Sequence, residues 1–255
     1  MQIKVCGSGP PLVMLHGWAM HGGIFAPVLA RLEAAFTLHV VDLPGHGASV
    51  HSTVPFTLDA IACEVASRTP PALWLGWSLG GLVALHAAHA MPASVRGLAM
   101  LCASPRFVRH DSWPQGMDAS VFCGFASDLA RDHHATIDRF LRLQAQGSDH
   151  VRDDIQLLRE QVFAVASPNP GRLVEGLALL QDSDLRNGLP TLSMPSLWLA
   201  GCRDRLVSPA AMRAAAALAP DSRFVPFEHG GHAPFLSHAP DVAAALLEFS
   251  ATLRA

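Results

Sequence analysis

The clearest chemical signature in the sequence is the serine of Gly76-Trp77-Ser78-Leu79-Gly80, which lies between an apolar run and an alanine-rich stretch. This G-x-S-x-G pattern is typical of a strand that turns sharply into a helix, and its glycines let the two elements approach closely. Such a turn presents the Ser78 hydroxyl as a nucleophile and sets the N–H of Leu79 at the helix start, where it can stabilise an oxyanion. The pentapeptide alone would also suit an ordinary glycine-rich turn, so the assignment of Ser78 as a nucleophile depends on whether the sequence also supplies a base and an acid.

A serine nucleophile needs a base, because an alkoxide is too basic to persist at neutral pH. Of the fourteen histidines, His232 is best placed, in a glycine-containing loop after the last predicted strand, with His229 as the alternative. The imidazole in turn needs an acid that fixes its tautomer. We assign Asp204, which follows the fifth predicted strand, although it could instead be a turn or helix-capping residue. The sequence therefore predicts Ser78, Asp204 and His232 as the catalytic residues.

The second oxyanion donor is expected from the loop after the first predicted strand, His16-Gly17-Trp18. Gly17 permits close approach of the backbone to a reacting group, and we assign the backbone N–H of Trp18, with that of Leu79, to the oxyanion hole. We expect His16 to brace this loop by hydrogen bonding rather than to take part in the reaction.

The elements that must hold these loops are short apolar runs that alternate with alanine- and leucine-rich stretches. The predicted strands span residues 11–15, 38–41, 72–75, 95–101, 196–200 and 223–227. The predicted helices between and after them span residues 23–35, 58–68, 79–90, 209–218 and 241–253. Continuous apolar strands that alternate with helices indicate an α/β fold, with a mostly parallel sheet covered by helices on both faces.

The alternation stops between about residues 105 and 186, where only helical patterning continues, for example over residues 135–146 and 151–165. A chain of 255 residues fits one α/β domain better than two. We therefore predict a single domain over residues 1–255 with a helical cap inserted at 106–186. Ligands of open α/β sheets bind outside the carboxyl ends of the strands, so the cap would cover the site.

The composition excludes several classes of function. A net charge of −3 and a pI near 6.5 argue against nucleic-acid binding. The first ten residues do not resemble a signal peptide, and no apolar run is long enough to cross a bilayer. The five cysteines are widely spaced and lack a C-x-x-C pair, as in a reduced intracellular protein. We expect a cytoplasmic monomer.

Two histidine pairs are candidate metal ligands in addition to the cysteines, but neither pair has a third ligand at a useful spacing. These pairs are His86 with His89, and His133 with His134. We therefore expect no metal and no cofactor.

Four runs carry a resemblance to a known family: LHGW, VDLPGHG, LWLGWSLGGLVA and GHAPFLSHAP. Through them the sequence resembles the BioH family of pimeloyl-[acyl-carrier protein] methyl ester esterases, which belong to the α/β-hydrolases. Residues 138–147 also resemble the R-F-L-x-L-Q segment of that family, and the resemblance extends from about residue 10 to 240. Many α/β-hydrolases share the DLPGHG and GxSxG motifs, whereas the Trp beside the serine and the cap segment are more specific. The chain order Ser, Asp, His also agrees with this fold.

The resemblance implies hydrolysis of the methyl ester of pimeloyl-carrier protein to methanol and the free acid, a step of biotin synthesis, through an acyl-enzyme. It also implies a set of substrate contacts in the oxyanion loop, the nucleophile turn, the cap and the histidine loop. They are Trp18, Ser78, Leu79, Phe140, Leu141, Arg142, Leu143, Gln144 and His232. Phe140 could instead be core packing between the cap and the sheet.

The partner implied by the resemblance is an acidic acyl-carrier protein that binds transiently, and cations in the cap would dock it. The candidates are Arg139, Arg142, Arg152 and Arg159. Around Arg159 the pattern departs from the family, with Gln156 where another cation is expected. Residues 106–186 also hold twelve carboxylates beside nine arginines, so a solvated charged helix face is the alternative.

Other activities remain compatible with the same residues. A general short-chain carboxylesterase would use the same triad without a carrier protein, and so would a C–C bond hydrolase or an acyltransferase. A ligand receptor on a hydrolase scaffold would bind without turnover. The fold alone does not distinguish these possibilities.

Overall fold

The structure is a computed structural model that describes residues 1–163, 165 and 167–253. Its strands are β1 (Gln2–Gly7), β2 (Pro11–Leu15), β3 (Thr37–Asp42), β4 (Ala72–Trp77), β5 (Val95–Leu101), β6 (Ser196–Gly201) and β7 (Ser222–Phe227). They form one seven-stranded sheet in the order β1-β3-β2-β4-β5-β6-β7. β1 pairs antiparallel with β3, and the remaining neighbours are parallel.

The helices alternate with the strands outside one long interval. They are α1 (Ala26–Leu32), α2 (Leu58–Arg68), α3 (Leu79–Ala90), α4 (Ala119–Arg131), α5 (His133–Ala145), α6 (Val151–Phe163), α7 (Pro170–Asp182), α8 (Pro209–Leu218), α9 (Pro234–Ser237) and α10 (Ala239–Thr252). Every residue of β4 and β6 is buried. Since side chains alternate between the two faces of a strand, this burial requires cover on both faces. The predicted α/β fold with a mostly parallel sheet is confirmed.

Two differences from the sequence-based expectation have local causes. β1 was not predicted, because it is an edge strand with a mixed pattern of exposed and half-buried residues and no continuous apolar run. The first predicted helix, residues 23–35, is instead a 3₁₀ turn at Gly22–Phe25 followed by α1. Pro27 lies in the first turn of α1, where its fixed φ and missing N–H are tolerated.

Among its described residues, the interval between β5 and β6 contains the four helices α4 to α7. The helix predicted at residues 135–146 corresponds to α5, and α4 and α7 were not predicted individually. The helix predicted at 151–165 corresponds to α6, which ends at Phe163, and residue 164 lies outside the described residues. The boundaries 106–186 for a cap remain a prediction. Within the described part of the chain, no helix is long and apolar enough to span a membrane.

Two helical glycines have opposite surroundings. A Cβ atom at Gly81 in α3 would lie 2.3 Å from the Cβ atom of Ala103, which follows β5. A Cβ atom at Gly124 in α4 would have no atom within 4 Å. Only the first glycine is therefore required by packing between a helix and the sheet.

We predict that the same substitution changes stability in opposite directions at these two positions. Gly81→Ala should destabilise by about 1–3 kcal/mol because of overpacking. Gly124→Ala should stabilise by about 0.5–1 kcal/mol because alanine loses less backbone entropy in a helix. Urea unfolding midpoints measure both effects, and two changes of the same sign would contradict this account of the packing.

Candidate active site

The candidate nucleophile lies on a strained turn between β4 and α3. Ser78 has φ 54° and ψ −119°, a left-handed conformation that a non-glycine residue adopts at an energetic cost. Its N–H donates to Leu101 O at 3.1 Å, which ties the turn to the end of β5. A Cβ atom at Gly76 would lie 2.3 Å from Gly80 O, and one at Gly80 would lie 2.3 Å from Leu15 O. Glycines are therefore required on both sides of the serine.

The candidate base and acid lie on the loops that follow β7 and β6. His232 Nδ1 lies 2.7 Å from Asp204 Oδ2, and both side chains are fully buried. The N–H groups of Leu206 and Val207 donate to Asp204 Oδ1 at 2.7 and 3.0 Å. A carboxylate held this way accepts a hydrogen bond from the N–H at Nδ1 and leaves Nε2 of His232 as the free acceptor. Among the described residues, Nε2 is buried and has no hydrogen-bond partner.

The structure brings the serine and histidine loops together through the residue beside the nucleophile. Trp77 Nε1 donates to His232 O at 2.8 Å, and the two rings lie 5.7 Å apart between centroids. No hydrogen bond joins the Ser78 hydroxyl to the imidazole, as is common before a substrate binds. The alternative base, His229, is 56% exposed and contacts Asp149, so its position favours His232.

The loop after β2 lies directly against the nucleophile. A Cβ atom at Gly17 would lie 3.2 Å from Ser78 Cβ, so the absence of a side chain allows this approach. Within the described part of the chain, the N–H groups of Trp18 and Leu79 donate no hydrogen bond. Both groups are thus free for an oxyanion, and the assignment of these two residues to that hole stays a prediction.

His16 links this loop to the loop that follows β3. Its Nδ1 lies 2.8 Å from Gly17 O, and its Nε2 accepts from the N–H of Leu43 at 2.9 Å. Burial lowers the pKa of His16 to about 3, and also that of His46, whose ring centroid lies 5.4 Å away. Both imidazoles are therefore neutral at physiological pH. The hydrogen bonds of His16 fit the bracing role expected from the sequence.

Helices α5 and α7 cover the site. Trp18 Nε1 donates to Leu173 O of α7 at 2.8 Å, and the ring of Phe140 in α5 packs edge-on against Trp18 at 4.7 Å. Gln144 O accepts from the backbone N–H of His232 at 3.3 Å. Gln144 Oε1 is buried without a hydrogen-bond partner among the described residues. Of the predicted substrate contacts in α5, Phe140 and Gln144 thus contact residues of the site.

The other predicted contacts in α5 are placed differently. Leu141 is fully buried, whereas Arg142 is exposed and Leu143 is half-buried. Arg142, Leu143 and Phe125 line a groove of about 380 Å³ between α4 and α5 on the outer surface. Arg142 lies at this outer groove and not at the triad. A contact between this residue and the substrate therefore requires a substrate that extends to the surface.

Three of the four arginines proposed for docking are paired with nearby carboxylates. Arg139 pairs with Asp128, and both Arg142 and Arg159 pair with Asp138, at 2.9 and 2.6 Å. Arg152 is exposed and has no ion pair among the residues that the structure describes. A local excess of positive charge is therefore smaller than the number of arginines suggests.

Cys102, which sequence analysis did not single out, lies beside the acid. It is fully buried in a left-handed conformation with φ 43°, and its Sγ lies 3.7 Å from Gly231 O. Sγ and the ligand atoms of Asp204 and His232 all lie within 4.8 Å of one another. Burial and the Asp204 carboxylate raise the pKa of the thiol, so it stays protonated and is a poor metal ligand. No sequence motif marks a cysteine in this position.

Comparisons with known proteins agree with the fold. A family model described as alpha/beta hydrolase fold matches residues 10–239. A curated protein of Stenotrophomonas maltophilia (strain K279a), named pimeloyl-[acyl-carrier protein] methyl ester esterase, is 54% identical over 99% of this chain and 97% of its own length. A protein of the same name from Xanthomonas oryzae pv. oryzae (strain MAFF 311018) is 52% identical over 99% of this chain and 100% of its own.

Solved structures with similar backbones are more distant in sequence. An esterase from Exiguobacterium antarcticum superposes with a TM-score of 0.86 at 23% identity, covering 99% of this chain and 95% of its own. A bromoperoxidase from Bacillus anthracis reaches a TM-score of 0.88 at 19% identity, covering 97% and 94%. At these identities the likeness concerns the fold alone.

The buried histidines His16 and His46 make stability depend on pH. In the unfolded chain they titrate near their ordinary pKa of 6.5, whereas in the folded chain their pKa is about 3. The unfolded state therefore binds more protons between these values, so stability is full above pH 6.5 and falls as the pH drops towards 3. Each histidine contributes a slope of up to about 1.4 kcal/mol per pH unit.

Urea unfolding at a series of pH values from about 7 to about 4 measures this slope. His46→Phe removes one of these groups and should reduce the slope by up to about 1.4 kcal/mol per pH unit. A slope from His16 and from His39, whose pKa burial also lowers, should remain. The control His51→Phe changes an exposed histidine and should leave the slope unchanged. An undiminished slope in the His46 variant would mean that other groups cause the acid sensitivity.

Proposed function

Because this chain belongs to the alpha/beta hydrolase family, and within it to the pimeloyl-[acyl-carrier protein] methyl ester esterases, we propose that it hydrolyses a pimeloyl-carrier methyl ester to methanol and the free acid. This reaction is a step of biotin synthesis. The observation that carries the proposal is the strained Ser78 turn beside the buried hydrogen bond between Asp204 and His232.

The first half of the reaction forms an acyl-enzyme. Ser78 Oγ attacks the ester carbonyl while His232 Nε2 takes the hydroxyl proton. The negative charge that develops on the carbonyl oxygen is held by the N–H groups of Trp18 and Leu79, which have no competing acceptor within the described structure. His232 then returns the proton to the leaving methoxide, and methanol departs.

The second half releases the acid. His232 Nε2 takes a proton from water, and the resulting hydroxide attacks the acyl carbonyl held on Ser78. Asp204 keeps the proton of the imidazole on Nδ1 and stabilises the imidazolium through the buried 2.7 Å hydrogen bond. Collapse of the second tetrahedral intermediate returns the proton to Ser78 and restores the enzyme without a metal or cofactor.

The substrate contacts that we propose lie under α5. The edge of Phe140 lies against Trp18, where it can pack against an aliphatic acyl chain, and the unpartnered Oε1 of Gln144 can accept a hydrogen bond from the water that enters in the second half of the reaction. Leu141 adds buried apolar surface to the same helix, whereas Leu143 lies with Arg142 at the outer groove. Arg142 would contact the part of the substrate that leaves the protein, towards the carrier.

The partner that we propose is an acidic carrier protein that docks transiently on the cap, which we assign to residues 106–186. The four candidate cations are Arg139, Arg142, Arg152 and Arg159. We further infer that the protein acts as a cytoplasmic monomer. The five unpaired cysteines support a reducing compartment, and the large exposed hydrophobic residues of the described chain are scattered rather than contiguous in sequence.

A general short-chain carboxylesterase is the second candidate function. It is favoured by the pairing of Arg139, Arg142 and Arg159 with carboxylates of their own segment, which weakens attraction of an acidic partner. The chemistry at Ser78 would be the same. The two candidates differ only in whether turnover depends on the carrier.

Ser78→Ala should reduce turnover of a short p-nitrophenyl ester at least about 10⁴-fold, because no other group can form the acyl-enzyme. The fluorophosphonate label that reacts with the wild type should no longer attach. The control Ser67→Ala removes an exposed hydroxyl on α2 and should retain full activity. Persistent turnover in purified Ser78→Ala, or a wild type that no fluorophosphonate labels, would refute the proposed function.

Charge reversal separates the two candidate functions. Arg152→Glu should lower kcat/KM for a pimeloyl-carrier methyl ester about tenfold and spare a free short methyl ester, because a rim charge acts on association. Arg142→Glu should have a smaller effect, because its charge is already paired with Asp138. The control Arg96→Glu lies at the amino end of β5, away from the cap. Equal losses on both substrates would favour the general carboxylesterase.

A further inference from the structure

Helix α7 lies directly on the two residues that we assign to the oxyanion hole, and Gly176 makes this contact. A Cβ atom at Gly176 would lie 2.8 Å from Trp18 Cδ1 and 3.3 Å from Trp18 Nε1. It would also lie 3.4 Å from Leu79 Cδ2. The first distance is shorter than side chains tolerate, so a methyl group at this position would displace either α7 or the indole.

The indole of Trp18 has little freedom to move. It is fully buried, and its Nε1 donates to Leu173 O, three residues before Gly176 on the same helix. Phe140 of α5 packs edge-on against it. A shift away from α7 would therefore break a buried hydrogen bond and disturb an aromatic contact at the same time.

The start of helix α7 is attached to the loop that follows β3. The N–H of Asn169, its N-cap residue, donates to Gly45 O at 2.8 Å, and the Asn169 side chain accepts from the N–H groups of Gly171 and Arg172. A Cβ atom at Gly45 would lie 2.3 Å from Arg172 Cγ, so the helix start is closely packed as well. The helix cannot retreat from Trp18 without loss of this attachment.

Glycine within a helix costs about 1 kcal/mol relative to alanine, so helix formation alone does not favour Gly176. Because the hydrogen bond to Leu173 O and the packing of Phe140 restrict rotation of the indole, a displacement of the ring is transmitted to the Trp18 backbone and its N–H. Oxyanion donors act only within a narrow distance range, of about 2.7–3.1 Å. The contact between Gly176 and the indole therefore affects the position of the Trp18 N–H.

We propose that Gly176 is a positioning residue, whose lack of a side chain lets α7 hold the Trp18 indole, and hence the Trp18 N–H, in the geometry that stabilises the oxyanion. This inference rests on the proposed function, because it concerns the oxyanion hole of the same reaction. Gly176 does not touch the reacting atoms and acts through Trp18.

The test is Gly176→Ala, with Gly124→Ala as the matched control in a neighbouring helix of the same segment. On a short p-nitrophenyl ester, Gly176→Ala should lower kcat about 10- to 100-fold with little change in KM, because the transition state is affected and not ground-state binding. The inhibition constant of a trifluoromethyl ketone, which forms an oxyanion on Ser78, should rise by the same factor. Gly124→Ala should change neither quantity.

A second variant keeps the test informative if Gly176→Ala folds poorly. Trp18→Phe keeps an aromatic ring and the backbone N–H but loses the Nε1 donor to Leu173 O. It should also lower kcat and raise the trifluoromethyl ketone inhibition constant in parallel, by several-fold. Activity is expressed per active site, from titration with a fluorophosphonate, so loss of folded protein does not mimic the effect.

Three results would overturn the inference. Wild-type kcat per titrated site in Gly176→Ala, with only a lower melting temperature, would mean a purely structural role. A raised KM for long-chain esters with unchanged kcat would mean that Gly176 lines the acyl pocket. A change in kcat without a change in ketone binding would mean that the oxyanion hole is not involved. A wild type without esterase activity or labelling at Ser78 would instead contradict the proposed function.

Discussion

The close crossing of the start of α3 over the ends of β2 and β4 is the constraint on which the site depends. Carbonyl groups of Leu15 and Gly80 occupy the space where side chains at Gly80 and Gly76 would extend. The serine between these glycines is held at a positive φ by the elements on either side, not by local preference. The same crossing brings the loop after β2 against Ser78, so the candidate nucleophile and the proposed oxyanion donors are positioned by one contact.

The acid and base depend on a second consequence of the parallel sheet. Strands β6 and β7 end at the same edge as β4, so their loops meet although Asp204 and Ser78 are far apart in sequence. Once buried, the Asp204 carboxylate is compensated by two backbone N–H groups and by the imidazole of His232. Burial without these partners would be costly, so the loop conformation and the orientation of the base are determined together.

The helical segment between β5 and β6 covers the site and also makes specific contacts with the loops that carry the candidate site residues. It contacts the catalytic loops through Leu173 at Trp18, through Gln144 at the backbone of His232, and through Asp149, which pairs with Arg203 beside the acid. These contacts exclude water and strengthen electrostatic interactions inside the site. They also leave Ser78 and His232 almost inaccessible to solvent.

The sequence by itself determined the parts that depend on local order: a glycine-flanked serine, apolar strands with intervening helices, and histidine and aspartate after later strands. It could not reveal β1, whose edge position leaves no continuous apolar pattern, or Cys102 and Gly176, whose importance comes only from what they contact. The sequence suggested four docking cations. It could not show that Arg139 pairs with Asp128, because that ion pair depends on how α4 and α5 pack together. Spacing along the chain encodes turns and strand ends, whereas contacts between distant segments, and the charges they neutralise, are decided only by the tertiary fold.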